Sequence, residues 1–543
     1  MGTMFLKYGQ WGLSMLWGVL VFLFWWLWFP QALSFQEQYQ LFLFSSDYFS
    51  ERMSLPGGLS DYLSEFLVQF HYIGWLGALV LAVLSVLLQR LVWRLMAHQG
   101  AGECSGAYLL SFVPSVLSIW MMGDESVLLS YTVALLLVMF AAVVAVCWWK
   151  NRRSWFDLLV VPLLYFIAGP LVWLYVFLRL LHEGKRAWWT VVVALACQVL
   201  AYFLLPQWPV KMIAFGLNYY RTPEFYNHLQ WVLPLVILLL AASTSWWNRL
   251  HKNKMALTLQ ALLLLALAYL AVSLGYDADK YEVIRQDWLV RQEKWSEVID
   301  RASRHQVKDA FSCNCVNLAL AMERRLADSM FDFYQSGEDA LLMPMQRDMT
   351  SNIPTAEAFW RLGMVNSARR YMADLQESIL NARKSGRFTK RIVECLLVNG
   401  QYALADKHLA LLRQSLFYRS WAREASALLY HDDRVAAHPV YGKLRQMRYK
   451  DDFLYSYPEI DKMLGLLFVN NQRNTVALDY FMGQLLLKGD VPSFMQYMSW
   501  VQQYGGYQFM PRGYQDAVKC IQSHGEAAGS AYGAYVKKKM GGN

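Results

Sequence analysis

Charge is scarce in this chain of 543 residues: Asp, Glu, Lys and Arg make up 17%, against about a quarter in an ordinary soluble domain. The shortage is confined to one half. Residues 1–275 hold 15 Lys and Arg and 11 Asp and Glu, while the remaining 268 hold 35 and 30. Leu, Val, Trp and Phe take the vacated positions, a composition that excludes a soluble domain for the first half. Cysteine is sparse too, with seven residues. Cys147 and Cys197 fall in apolar runs as small packing residues, and Cys104 reads as cytoplasmic. Cys313, Cys315, Cys395 and Cys520 fall on the opposite, oxidising side, where disulfides are allowed, although Cys313 and Cys315 are too close for an easy mutual bridge within a helix. No Cys/His cluster has zinc spacing. No P-loop, dinucleotide fingerprint, nucleophile elbow or zincin helix occurs, which argues against an enzyme in the soluble half. The net charge of +9 comes without a Lys/Arg run or a single-strand-binding signature, so no nucleic-acid partner is expected.

What is present is a series of apolar stretches. A bilayer core takes about 20 apolar residues per helix, and nine spans are read: Trp11–Leu33, Ile73–Leu95, Ala107–Met122, Leu128–Trp149, Leu158–Ala168, Leu171–Leu181, Trp188–Leu205, Leu229–Trp247 and Met255–Gly275. The first is too long and too rich in Trp at Trp25, Trp26 and Trp28 for a removable signal peptide. Leu158–Leu181 carries Ala168-Gly169-Pro170 at its centre and reads either as one helix or as two short ones folded back as a hairpin. The hairpin puts Lys7, Arg90, Arg94, Lys150, Arg152, Arg153, Arg179, Lys185, Arg186, Arg249, Lys252 and Lys254 in the cytoplasm and leaves Arg52, Lys211 and Arg221 outside, in keeping with the inward bias of cations. Its halves are short, so a re-entrant pair is the alternative to two crossings. The expected fold class is therefore all-α. A polytopic transmembrane domain spans residues 1–275, with its N-terminus cytoplasmic in the plasma (inner) membrane, and a helical domain at 276–524 lies across the bilayer from the cytoplasm. The small, basic segment 525–543 reads as a frayed, flexible tail.

In the second half apolar residues recur at helical spacing between Gly, Asn, Asp and Pro. Trp288–Ala302, Phe359–Leu375, Val393–Leu411 and Phe481–Val501 each read as two antiparallel helices about a tight turn, with Ala at close-packing sites. These blocks resemble tetratricopeptide-type repeats, and that resemblance implies a continuous core and a concave surface for a peptide or protein. A merely structural helical array is the plainer reading.

The loop at 34–72 is too apolar and aromatic for a simple connection. Pro56-Gly57-Gly58 breaks the chain, Ser60 is placed to cap a helix, and Leu59, Tyr62, Leu63, Phe66, Leu67 and Phe70 share one face opposite Asp61 and Glu65. Such a helix is expected to lie along the membrane surface, with a short apolar element at Tyr39–Phe44 ahead of Asp47. The arrangement resembles membrane glycosyltransferases of the GT-C type. The resemblance implies an acidic residue in the first external loop that serves as base or metal ligand while a sugar passes from a polyprenyl-phosphate carrier to an acceptor. Glu37 and Asp47 are the candidates here, with Asp124 and Glu125 as a second acidic pair and a divalent metal as the cofactor the resemblance allows. Glu37-Gln38 departs from the usual acidic pair. Arg52, His71, Lys211 and Arg221 are the groups available to a lipid-held phosphate, Arg221 within the aromatic run Asn218–His228. Each has a plainer reading as a solvated loop acid, a polar turn or a headgroup anchor.

Two segments, Gln36–Leu79 and Cys315–Pro344, are similar to an uncharacterised group of Bacteroidetes inner-membrane proteins with a multi-span first half and a repeat-rich second half. The likeness covers essentially the full length and implies a periplasmic second half; it implies no reaction. The expectation is thus a transferase whose partners are the lipid bilayer, a polyprenyl-phosphate-linked glycan and a periplasmic protein held by the repeats. A non-enzymatic scaffold for envelope assembly or secretion is the alternative. A transporter fits less well, because the spans hold few groups for ion coupling.

Overall fold

The computed structural model describes residues 2–101, 105–148, 156–215, 227–243, 254–306, 308–380, 383–449, 455–523 and 529–540, and among these no strand occurs. The chain forms two compact units, Met1–Asp277 and Ala278–Asn543.

The first unit contains α1 (Gly2–Leu23), α2 (Pro30–Gln38), α3 (Ser46–Met53), α4 (Gly58–Val68), α5 (Gly74–Met96), α6 (Ser105–Leu110), α7 (Val113–Met122), α8 (Leu129–Trp148), α9 (Asp157–Ala168), α10 (Val172–Glu183), α11 (Trp188–Leu204), α12 (Val210–Phe215), α13 (Leu229–Ala242) and α14 (Lys254–Gly275). α5 packs on α1, α7 and α8, and α7 packs on α13 and α14. A polar seam ties these helices. Ser14 donates to Gln89 at 2.7 Å, Gln89 donates to Ser111 at 2.8 Å, and Trp17 Nε1 is shared between Ser85 and Ser115 at 3.0 Å each. In hydrocarbon such bonds replace the solvent that would otherwise satisfy these groups.

Among the described residues five stretches, rather than the nine expected, are long and apolar enough to cross a membrane: Tyr8–Trp28, Gly74–Gln99, Leu129–Cys147, Asp157–Leu204 and Met255–Gly275. Gly106–Met122 and Leu229–Ala242 are apolar but shorter. Asp157–Leu204 is turned twice, at Gly169 and Gly184, both with positive φ. At Gly169 φ is 61° and ψ is −145°, a conformation essentially confined to glycine. The chain doubles back there. Asp157, opening α9, accepts two bonds from Arg179 near the end of α10, at 3.0 and 3.2 Å; along one straight helix those 22 positions would lie about 33 Å apart. α9 and α10 form a hairpin whose arms are each about 18 Å long, well short of a hydrocarbon core of about 30 Å.

The second unit is built from tight helical hairpins with one recurring turn. Glu293, Arg324, Gly363, Gly400 and Gly489 all take positive φ. The next amide in each case reaches back five residues: Lys294 to Leu289, Arg325 to Leu320, Met364 to Phe359, Gln401 to Leu396 and Asp490 to Leu485, at 2.7–3.0 Å. This is the Schellman geometry, which satisfies the last carbonyls of one helix and starts another within two residues. Four of the turns fall in the four blocks read as helical pairs.

Four helices of this unit are enclosed along most of their length. Ala310–Met322, Ile353–Leu362, Gly386–Val398 and Thr475–Lys488 are buried almost throughout. Gly337–Ala340 packs on both Ala310–Met322 and Thr475–Lys488, and its backbone is gripped from within: Asn314 donates to the Asp339 and Ala340 carbonyls, Asn317 to that of Ala340, and Thr355 accepts from the Met343 amide. Leu341 and Leu342 are fully buried. Among the described residues the stretch 337–343 is thus enclosed by helices of this unit. The segment read as a frayed tail also contains a helix, Ala531–Met540, whose Tyr532 and Tyr535 rings pack on Phe331. Apolar contact outweighs the small, polar composition that suggested disorder.

Candidate functional site within the first long loop

Between α1 and α5 the chain folds into α2, an irregular stretch at 39–45, α3, α4 and a 3-10 turn at Gln69–Tyr72. α4 is oriented opposite to a surface-lying helix. Its buried residues are Gly58, Ser60, Asp61, Ser64, Glu65 and Val68, while Leu59, Tyr62, Leu63, Phe66 and Leu67 are only partly covered. The polar face turns inward because α4 packs on α8 and α9 and is tied there by Gly57 N–H to the Phe166 carbonyl at 2.8 Å and Ser60 Oγ to the Ile167 carbonyl at 2.7 Å. The apolar element Tyr39–Phe44 has no regular structure; its Phe42 ring lies against Tyr48, Tyr62 and Phe66. An apolar exterior over a charged interior suits lipid surroundings rather than water.

Within that interior Arg52 Nε donates to Glu65 at 3.0 Å and lies 4.0 Å from Asp61. Tyr48 donates to the same Glu65 carboxylate and carries the Arg52 guanidinium over its ring, 4.9 Å from the centroid. Burial and Glu65 push the Tyr48 phenol above its usual range. Burial pulls on Arg52 in the discharging direction, but Glu65, Tyr48 and Asp61 outweigh it and hold the guanidinium charged. Two fully buried carboxylates thus share one guanidinium. α2 packs on the Gln69–Tyr72 turn and on α5, which brings Glu37, 4% exposed, and His71, 1% exposed, onto adjoining elements. Burial lowers the His71 imidazole to about 3, so the ring is neutral at any physiological pH.

The other sequence candidates lie elsewhere. Asp47 is exposed in the first turn of α3 and is no part of the buried set. Asp124 is a turn staple: it accepts from the Ser126 amide and hydroxyl at 2.9 and 2.6 Å and from Asn227 at 3.1 Å. Glu125 is half-buried beside it, and Lys211 is exposed. Arg52 is engaged by carboxylates of its own loop instead of facing outward for a phosphate. Arg221 lies outside the described residues. Sequence reading named Asp61 and Glu65 only as the wet side of α4, although their i, i+4 spacing with Ser60 and Ser64 already marked a single polar face. Among the described residues no three His, Cys, Asp or Glu are grouped to hold a metal ion.

A family model, described as a family of unknown function (DUF6057), matches residues 5–540. The chain belongs to this family. No curated protein and no solved structure matches it. The match takes in both the apolar half and the helical half, and it fits the expectation of an uncharacterised family spanning nearly the whole chain.

Proposed function

We propose that the protein is a membrane enzyme of GT-C-like type, moving a glycosyl group from a polyprenyl-phosphate carrier to an acceptor outside the cytoplasm, with the first loop as its reaction site. One observation carries this reading: the loop turns a charged, polar interior inward and an apolar face outward. Carboxylates beneath a lipid-compatible exterior support a reaction site for a lipid-held donor. Within this reading Glu37 is the general base, since a buried carboxylate on the helix that packs against the His71 turn is better disposed to accept a hydroxyl proton than the solvated Asp47. Arg52, Tyr48 and Glu65 position the loop. The α9–α10 hairpin is re-entrant, and both of its ends stay on the cytoplasmic side. The helical unit is a degenerate tetratricopeptide-like array in the periplasm, and with the stretch 337–343 enclosed it meets an acceptor or partner on its outer faces.

The test is a deletion strain complemented with wild type, Glu37→Gln or Asp47→Asn, followed by mass spectrometry of envelope glycans and periplasmic glycoproteins. Loss of a glycan in the deletion, restored by wild type and Asp47→Asn but not by Glu37→Gln, is expected. Unchanged profiles in the deletion strain remove the transferase. The scaffold reading predicts instead that Glu37→Gln is harmless and that stable partners co-purify with the outer faces of the helical unit.

A further inference from the structure

We propose that the junction of α2, the Gln69–Tyr72 turn and α5 is a recognition site for the hydroxyl groups of an uncharged sugar. Gln36 lies in α2, Gln40 just beyond its end with its amide on the Gln36 carbonyl, and Gln69 and His71 in the turn that packs on α2 and α5; Gln36 Oε1, Gln40 Oε1, Gln69 Oε1 and both ring nitrogens of His71 are buried without a hydrogen-bond partner within the protein, and these residues are at most 7% exposed. Buried polar atoms left in this state are rare in folded proteins, and each one calls for an account. Two of the amides are already fixed by their other ends. Gln40 Nε2 donates to the Gln36 carbonyl at 3.3 Å, and Gln69 Nε2 donates to the Phe66 carbonyl at 2.8 Å, so in both the oxygen is held as an acceptor. α5 backs the imidazole directly: a Cβ at Gly77 would come within 2.8 Å of His71 Cα and Cδ2.

The chemistry of the set selects the ligand. It offers three amide oxygens, the Gln36 amide N–H groups, one imidazole lone pair and one imidazole N–H, with no formal charge among them. A phosphate or carboxylate is held best by a cation, and this set contains none. A metal ion is poorly matched, because amide oxygens suit hard cations and imidazole suits softer ones. Hydroxyl groups each bring a proton to donate and a lone pair to receive one. The closed loop leaves the acceptors unsatisfied, so a form in which the turn draws back from α2 to admit hydroxyls regains those hydrogen bonds. That the hydroxyls belong to a glycosyl group rests on the transferase reading; the acceptor-rich character of the site does not.

The experiment uses the full chain in an amine-oxide detergent, which carries no sugar headgroup. Thermal unfolding and calorimetric titration are run with the methyl glycosides of glucose, galactose and mannose, and with glucuronate, inorganic phosphate and calcium as contrasts. At least one neutral glycoside is expected to bind and raise Tm. Affinity should fall tenfold or more in Gln69→Leu and Gly77→Ala, be lost in His71→Phe and return in part in His71→Gln, with Gln36→Leu standing in if His71→Phe does not fold. Absence of binding by all three glycosides overturns the proposal, as does binding unchanged in the variants, or a response to calcium or phosphate that His71→Phe abolishes. Glycoside binding that depends on His71 in a protein whose deletion leaves glycans unchanged keeps the site and removes the transferase. Glycan loss in Glu37→Gln with glycoside binding indifferent to His71 does the reverse.

Discussion

Helix α4 and helix Trp295–Arg304 are both amphipathic, and they are buried by opposite faces. α4 hides Asp61, Ser64 and Glu65 and leaves Leu63 and Phe66 partly open; Trp295–Arg304 hides Val298, Ile299 and Ala302 and exposes Glu297, Asp300 and Arg304. The contrast holds across the two units. Among the described residues, all but eight of the exposed large apolar side chains lie between Tyr8 and Leu274, and those eight run from Leu380 to Phe509. Burial of apolar area drives folding only where the alternative is water. The first unit holds the stretches long and apolar enough to cross a membrane, and where the alternative is lipid, polar groups are what gain from being enclosed. Both units nevertheless hold charge inside. The Arg52–Glu65–Asp61 cluster has its counterpart in the second, where Arg387 binds Asp287 at 2.6 and 2.9 Å and Arg391 binds Glu357 at 2.7 Å and Glu394 at 2.6 Å.

The largest effect expected falls on that second network. Glu357→Ala leaves Arg391 with Glu394 alone and removes a second carboxylate from Arg387, and removing one partner of a buried pair costs about 3–5 kcal/mol. Hydrogen exchange of the full chain should show it as faster opening confined to residues 278–540. An effect equally strong in the first unit would break the division between the two.

The next test goes to the outer face of α4. Leu63→Lys places a charge where lipid is expected and should cost about 2 kcal/mol, read as reduced folded yield and Tm in detergent. Leu466→Lys, on an exposed site of the second unit, should stay within about 0.5 kcal/mol. Equal tolerance at the two sites would mean that α4 faces water.

Acidity sharpens the comparison inside the second unit. Asp479, fully buried, is pushed up to about 6 by burial, with Arg324 and the Tyr507 hydroxyl pulling the other way. Its folded state therefore prefers the protonated form; the stability it lends is complete below about pH 4 and is lost as pH rises through about 6. Glu357 behaves oppositely. Burial alone would raise it, but Arg391, Arg387 and Arg361 prevail and hold it below its usual value, so its contribution is present above about pH 4.5 and disappears as pH falls through the folded value. Asp479→Asn should remove a decline of about 1–2 kcal/mol between pH 4 and 6, measured by thermal unfolding across that range, and leave the acid limb intact.

The smallest effect concerns the repeated turn. Gly489 has φ of 80° with nothing within 4 Å of an added Cβ, so Gly489→Ala tests backbone strain alone and should cost about 1 kcal/mol. A similar change at Gly9, in α1, meets open space without positive φ and should be neutral or slightly stabilising by helix propensity.

Helical class, the division near residue 277 and the four hairpin turns were legible in the chain, because hydrophobic period, charge density and Gly-bearing turns act over a few residues. The inner side of α4 was not. A helical wheel shows two faces but not which one meets protein, and that depended on α8 and α9 being present to receive Asp61 and Glu65. The same limit hid the strap around Gly337–Ala340, whose hold by Asn314 and Asn317 joins residues more than twenty positions apart, and the hairpin closed by Asp157 and Arg179. The sequence by itself determined what each segment could become. Only the tertiary structure decided what each face would touch, because partners distant along the chain set whether a polar group is enclosed or left to its surroundings.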